Sequence, residues 1–126
     1  SDSAIALDWV QSQNPSSKEY WICGISFGAW IGMQLLMRRP EITKFILLGP
    51  PAGKYDFNFL APCPSSGLIF SGDKDSLIDH NVLANLVKKL NEQESIDVKH
   101  EVVKSSDHFF SKHETNVIQK INNYIK

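Results

Sequence analysis

The 126-residue sequence has only two cysteines, Cys23 and Cys63, far apart and with no C-x-x-C or cysteine/histidine cluster. That supports neither a disulfide framework nor a zinc site and is the pattern expected of a chain kept in a reducing cytoplasm. No apolar run approaches the roughly 18 residues needed to cross a bilayer, and the opening residues show neither the basic nor the apolar region of a leader peptide. Blocks of like charge are missing too. Thirteen Lys and Arg against fourteen Asp and Glu give a net charge of −1, so the basic footprint of a nucleic-acid binder is absent. Neither G-x-G-x-x-G nor G-x-x-x-x-G-K-[ST] occurs, which sets aside a nucleotide-binding module.

What is present describes one folded unit. An apolar share of 42% with 21% charged residues is that of a soluble globular domain, and the length allows one. Residues 2–13 place Ile5 and Trp9 four apart, with Ala6 and Val10 beside them, which predicts a helix stopped by Asn14-Pro15. Tyr20 to Ile25, Lys44 to Leu48 and Gly67 to Ser71 are short apolar runs without polar alternation, the signature of strands covered on both faces. Phe27 to Arg39 is apolar nearly all round and reads as a buried helix closed by Pro40. Val82, Leu83, Leu86, Val87 and Leu90 form one helical stripe over 79–93, and Val117, Ile118, Ile121 and Ile125 form another. Val98 to Val103, carrying Lys99, His100 and Glu101, suits a strand at a sheet edge. The stretch 52–66, with Tyr55, Phe57, Phe59, Pro62 and Pro64, reads as a structured excursion. Strands alternating with helices predict an α/β fold: a parallel four-stranded sheet flanked by helices.

Gly24-Ile25-Ser26-Phe27-Gly28 is a G-x-S-x-G between a strand and a helix. Small residues two before and two after the serine permit a sharp turn that presents its hydroxyl at the C-terminal edge of the sheet. Chance supplies the bare pattern in roughly 4% of chains this long, and a tight turn that uses glycine for packing is the plain alternative. The strand-then-helix setting raises it above both. A serine hydroxyl needs a base to take its proton, usually a histidine held by a carboxylate. Of four histidines, His100 falls inside a strand, His113 on the last helix facing solvent and His80 in a first helical turn. His108, in Ser105-Ser106-Asp107-His108-Phe109-Phe110, alone follows a strand directly and is the candidate base. Gly72-Asp73-Lys74-Asp75 supplies two carboxylates after another strand. Asp75 is favoured, because Asp73 equally suits turn amides or a cap, while Asp79 is placed to cap the helix from His80.

Ser26, Asp75 and His108 thus follow three parallel strands in the order nucleophile, acid, base. On these residues the sequence resembles the α/β-hydrolase superfamily, and GISFGAWIGMQLL, the G-D-K-D turn and SDHFF resemble small bacterial hydrolases related to the dienelactone hydrolases. The resemblance implies a serine hydrolase of an ester, thioester or related acyl bond working through an acyl-enzyme, with no metal or organic cofactor. Its partner would be a small acyl substrate, with neither nucleic acid nor membrane involved. It assigns Ser26 as nucleophile, His108 as general base and acid, Asp75 as orienting acid and the Phe27 backbone N–H as one oxyanion donor. Phe109, Trp30 and the 52–66 excursion are candidates to line an acyl pocket, against the plainer reading of aromatics as core.

In that family the nucleophile follows the fifth strand of an eight-stranded sheet, whereas one predicted helix precedes Ser26 here. Residues 1–126 are therefore expected to form a single partial domain, the C-terminal half, without the loop that supplies the second oxyanion N–H. Tyr20 to Ile25 would then be an unpaired edge, which predicts a homo-oligomer or pairing through that strand. The rival expectation is a catalytically silent half-domain that pairs with another chain.

Overall fold

A computed structural model describes residues 20–60 and 63–125, together with the backbone of residues 7–11. Five strands form one sheet in the order β1 (Leu7–Gln11), β2 (Tyr20–Ile25), β3 (Ile42–Leu48), β4 (Ser66–Gly72) and β5 (Val98–Val103). β2 to β5 run parallel, as the alternation of strands and helices predicts.

Among the described residues three helices cover the sheet: α1 (Phe27–Arg38), α2 (His80–Asn91) and α3 (Glu114–Ile125). Because strand side chains alternate, neighbouring residues enter opposite cores. Ile22, Phe45, Leu47, Ile69 and Val98 pack with Ala29, Met33 and Leu36 of α1 and Leu83, Val87 and Leu90 of α2. Trp21, Ile46, Leu68, Phe70 and Val103 pack on the other face with Phe110 and Val117. Burial on both faces is why these strands read as unbroken apolar runs. The excursion also packs: Phe57 and Leu60 are buried, and the Trp30 indole donates to the Asp56 carbonyl at 3.0 Å. Asp79 caps α2 as expected, accepting from the Val82 amide at 3.2 Å.

Four expectations are corrected. Residues 7–11 are a strand antiparallel to β2, with Leu7 opposite Gly24 and Gln11 opposite Tyr20, rather than part of a helix. The rest of the expected helix, residues 1–6 and 12–13, lies outside the described residues. The physical reason is the edge of β2. Its N–H and C=O groups need ladder partners, which an extended segment supplies and a helix cannot. Tyr20 to Ile25 is accordingly paired on both sides, with β1 and β3. On α3 the buried line runs through Val117 and the half-buried Ile121 and Tyr124, while Ile118 is 57% and Ile125 44% exposed. His113 precedes α3 and is half-buried, its amide donating to the Phe110 carbonyl at 2.9 Å. No helix among the described residues is long and apolar enough to cross a membrane.

Candidate active site

Every predicted site residue lies just beyond the C-terminal end of a parallel strand, on one edge of the sheet. Ser26 links β2 to α1 with φ 56° and ψ −122°, a conformation that costs a non-glycine residue about 1–3 kcal/mol. Surrounding contacts impose it. The Ser26 amide donates to the Leu48 carbonyl at 2.8 Å, and its carbonyl accepts from the Ala29 amide at 2.9 Å. Gly24 makes the turn possible by close approach, since a Cβ there would sit 2.6 Å from the Gly28 carbonyl oxygen and 2.7 Å from Ala29 Cα. Although it stands at the N-cap position, the Ser26 hydroxyl makes no capping bond. It faces His108 Nε2 instead, at 2.7 Å.

The other ring nitrogen, His108 Nδ1, lies 2.5 Å from Asp75 Oδ2. Asp75 is 2% and His108 8% exposed, so the pair is dry. All four polar groups of Asp75 are engaged. Its amide donates to the Gly72 carbonyl at 3.0 Å, Oδ1 accepts from the Leu77 amide at 2.8 Å, and its carbonyl lies 2.9 Å from His80 Nε2. An ionised carboxylate only accepts, so the proton between the pair belongs to His108 Nδ1, leaving Nε2 with a lone pair toward Ser26. Asp73, the rival acid, is exposed, and its amide donates to the Val103 carbonyl at 3.1 Å.

Two loops hold this geometry. The Lys74 amide donates to the Ser106 carbonyl at 2.9 Å, tying the acid turn to the histidine loop. Asp107 Oδ1 accepts from the Phe109 and Ser111 amides, both at 3.1 Å, and those bonds, Ser111 first, hold its carboxyl below the usual range. Gly49, at φ 63°, leaves room for the imidazole, whose Cε1 would lie 3.1 Å from an added Cβ. None of these supports was read from sequence. The Asp107-His108 dipeptide carried the only local signal, an Asx turn.

Phe27 opens α1, and its amide meets no acceptor among the described residues, as expected for a first-turn N–H. A cavity of about 260 Å³ adjoins Ser26 and His108. Phe109 lines it and meets the His108 ring edge-on at 5.2 Å. Trp30 does not line it; it packs with Phe27 and Tyr55 at 5.6 and 5.1 Å. The excursion lines a separate cavity of about 450 Å³ with Lys54, Tyr55 and Asn58, away from the serine.

A second serine–histidine contact lies behind the acid turn. His100 Nε2 is 2.7 Å from the Ser71 hydroxyl, and burial, then the nearby His80, lowers the His100 pKa below its ordinary value. Ser71 is fully buried, which removes it as a nucleophile. Cys63 is buried as well, and that burial pushes its thiol pKa up. Among the described residues no group of three or more His, Cys, Asp or Glu could hold a metal ion.

No protein-family model matches the chain. An uncharacterized protein of Rickettsia prowazekii is 44% identical over 128 residues, covering 98% of this chain and 54% of the relative. A solved protein of unknown function from Agrobacterium tumefaciens, described as a candidate alpha/beta hydrolase, superposes with a TM-score of 0.80 at 47% identity, over 83% of this chain and 48% of its own. An alpha-beta serine hydrolase homologue from Coxiella burnetii gives a TM-score of 0.66 at 26% identity, over 84% and 49%. The chain spans about half the length of these relatives, and its four parallel strands and three helices are part of an α/β-hydrolase fold.

Proposed function

We propose that this chain carries the acyl-transfer centre of a serine hydrolase acting on a small ester, thioester or related acyl compound. One observation carries the reading: the line from Ser26 Oγ through His108 Nε2 and Nδ1 to Asp75 Oδ2, at 2.7 and 2.5 Å, built on a serine with positive φ. Ser26 Oγ attacks the acyl carbon as His108 Nε2 takes its proton, and the imidazolium so formed is stabilised by Asp75. The proton then passes to the leaving alkoxide or thiolate as its bond to carbon breaks. Water, deprotonated by His108, adds to the acyl-Ser26 ester and releases the acid and the free serine. Phe27 N–H is the donor offered to the developing oxyanion. No step calls for a metal or organic cofactor.

The test is labelling by a fluorophosphonate with Ser26→Ala as control. Label on the wild type alone supports the reading, and a folded wild type that takes none sinks it. A second reading, a catalytically silent half-domain, draws on the chain's share of its relatives, about half. Lacking one oxyanion donor typically costs about 10²–10³ in rate. Slow labelling that depends on Ser26 therefore belongs to the enzyme reading, and none to the silent one.

A further inference from the structure

The apolar stripe of α2 is wider than the sheet it covers. Leu83, Val87 and Leu90 are buried in the core, whereas Val82 is 43% exposed and Leu86 half-buried. Those two line the cavity of about 450 Å³ that α2 forms with the excursion, a volume within the range of small-molecule pockets. With Asn85 and Lys89 they occupy positions i, i+3, i+4 and i+7, so one face of α2 brings apolar and polar groups to it together. Lys54, Tyr55 and Asn58 join from the excursion. This cavity shares no lining residue with the one at Ser26.

The polar groups on this cavity are uncommitted. The side chains of Lys54, Tyr55, Asn58, Asn85 and Lys89 make no hydrogen bond or ion pair among the described residues. Asp56, the one carboxylate there, is engaged, its Oδ1 accepting from the Asn58 amide at 2.8 Å. Two ammonium groups against one carboxylate leave a positive potential over an apolar floor, in a chain whose net charge is −1. A neutral ligand leaves both ammonium groups unanswered, and a cation is repelled. We infer that this cavity binds a small amphipathic anion, its oxyanion held by Lys54 and Lys89 and its apolar body lying on Val82 and Leu86. The Tyr55 hydroxyl and the two asparagine amides supply further donors. The site stands apart from the chemistry at Ser26 and does not depend on it.

The probe is phenyl phosphate, titrated into the full 126-residue chain and followed by the side-chain amide NMR signals of Asn58 and Asn85. Both signals are expected to shift together and to saturate with a Kd of about a millimolar or tighter. Lys54→Gln and Lys89→Gln should each weaken binding about two- to fivefold, the effect of an exposed ion pair, with the melting temperature showing that each variant is folded. Raising the ionic strength from about 0.02 to about 0.5 M should weaken it as well. Benzyl alcohol carries the ring without the charge and inorganic phosphate the charge without the ring; each is expected to bind about fivefold or more weakly than phenyl phosphate. Benzyl alcohol binding as tightly overturns the anion site, and inorganic phosphate binding as tightly overturns the apolar floor. Shifts confined to Phe109 and Ile118 beside Ser26, or an affinity unchanged in the double Lys54→Gln/Lys89→Gln variant, overturn the whole proposal, as does a titration with no saturation by about 10 mM.

Discussion

Replacing Asp75 by Asn tests the relay at its buried end with almost no change of shape. The Leu77 amide donates to Asp75 Oδ1 at 2.8 Å, so the Asn carbonyl oxygen is held at that position and its NH₂ must face His108 Nδ1. A donor there forces Nδ1 to become the acceptor and moves the imidazole proton to Nε2, toward the Ser26 hydroxyl at 2.7 Å. His108 then has no lone pair with which to take the serine proton. This wrong-tautomer effect is worth about 10⁴ in rate, or about 5.4 kcal/mol at 1.36 per decade. The assay is the second-order rate of Ser26 labelling by a fluorophosphonate, with ester turnover beside it and thermal unfolding to show that packing survives. Asp73→Asn is the matched control. Asp73 is exposed, so its labelling rate should stay within about twofold, in line with a surface substitution. Asp75→Asn keeping more than a tenth of the wild-type rate, or Asp73→Asn losing as much as Asp75→Asn, would refute the argument.

Two further expectations concern stability. Gly24→Ala puts a Cβ 2.6 Å from the Gly28 carbonyl oxygen, so the turn must open; a loss of about 2 kcal/mol or more should appear as a lower urea midpoint together with loss of Ser26 labelling. His100, its pKa lowered in the fold chiefly by burial, binds fewer protons folded than unfolded between its folded value and about 6.5. Its contribution is complete above about pH 6.5 and is lost as pH falls through that value toward the folded one. Melting temperature measured from pH 8 to 5 should fall less steeply for His100→Gln than for wild type, and equal slopes would remove His100 as a source of acid sensitivity.

How far the fold was legible follows from which forces are local. β2, β3 and β4 announce themselves because burial on both faces selects apolar residues at every position. α2 is legible because one face is wet and the other dry. β1 was not. Leu7-Asp8-Trp9-Val10-Gln11 carries apolar residues at both helical and strand spacings, and the pairing that decides between them comes from the β2 edge. The α3 stripe misled by one position for a similar reason. Ile118 and Ile125 are as apolar as Val117, and only the direction of the sheet shows that Val117, Ile121 and Tyr124 face it.

Within the site, what sequence could reach was the set of strand ends, and what it could not reach was the order of approach at one of them. Parallel strands carry every following turn to the same edge, so Ser26, the G-D-K-D turn and His108 had to be neighbours once the sheet was parallel. Choosing Asp75 over Asp73 needs more, since both carboxylates leave the same turn. The choice is made by contacts distant in sequence: Asp73 N–H to the Val103 carbonyl and Lys74 N–H to the Ser106 carbonyl fasten the turn along the histidine loop. With those two amides spent on the loop, the chain carries Asp75 beneath the imidazole, where the Leu77 amide and His80 hold its remaining groups. The carboxylate that meets His108 is thus selected by backbone bonds made by its neighbours, and no property of the Asp73 and Asp75 side chains themselves distinguishes them.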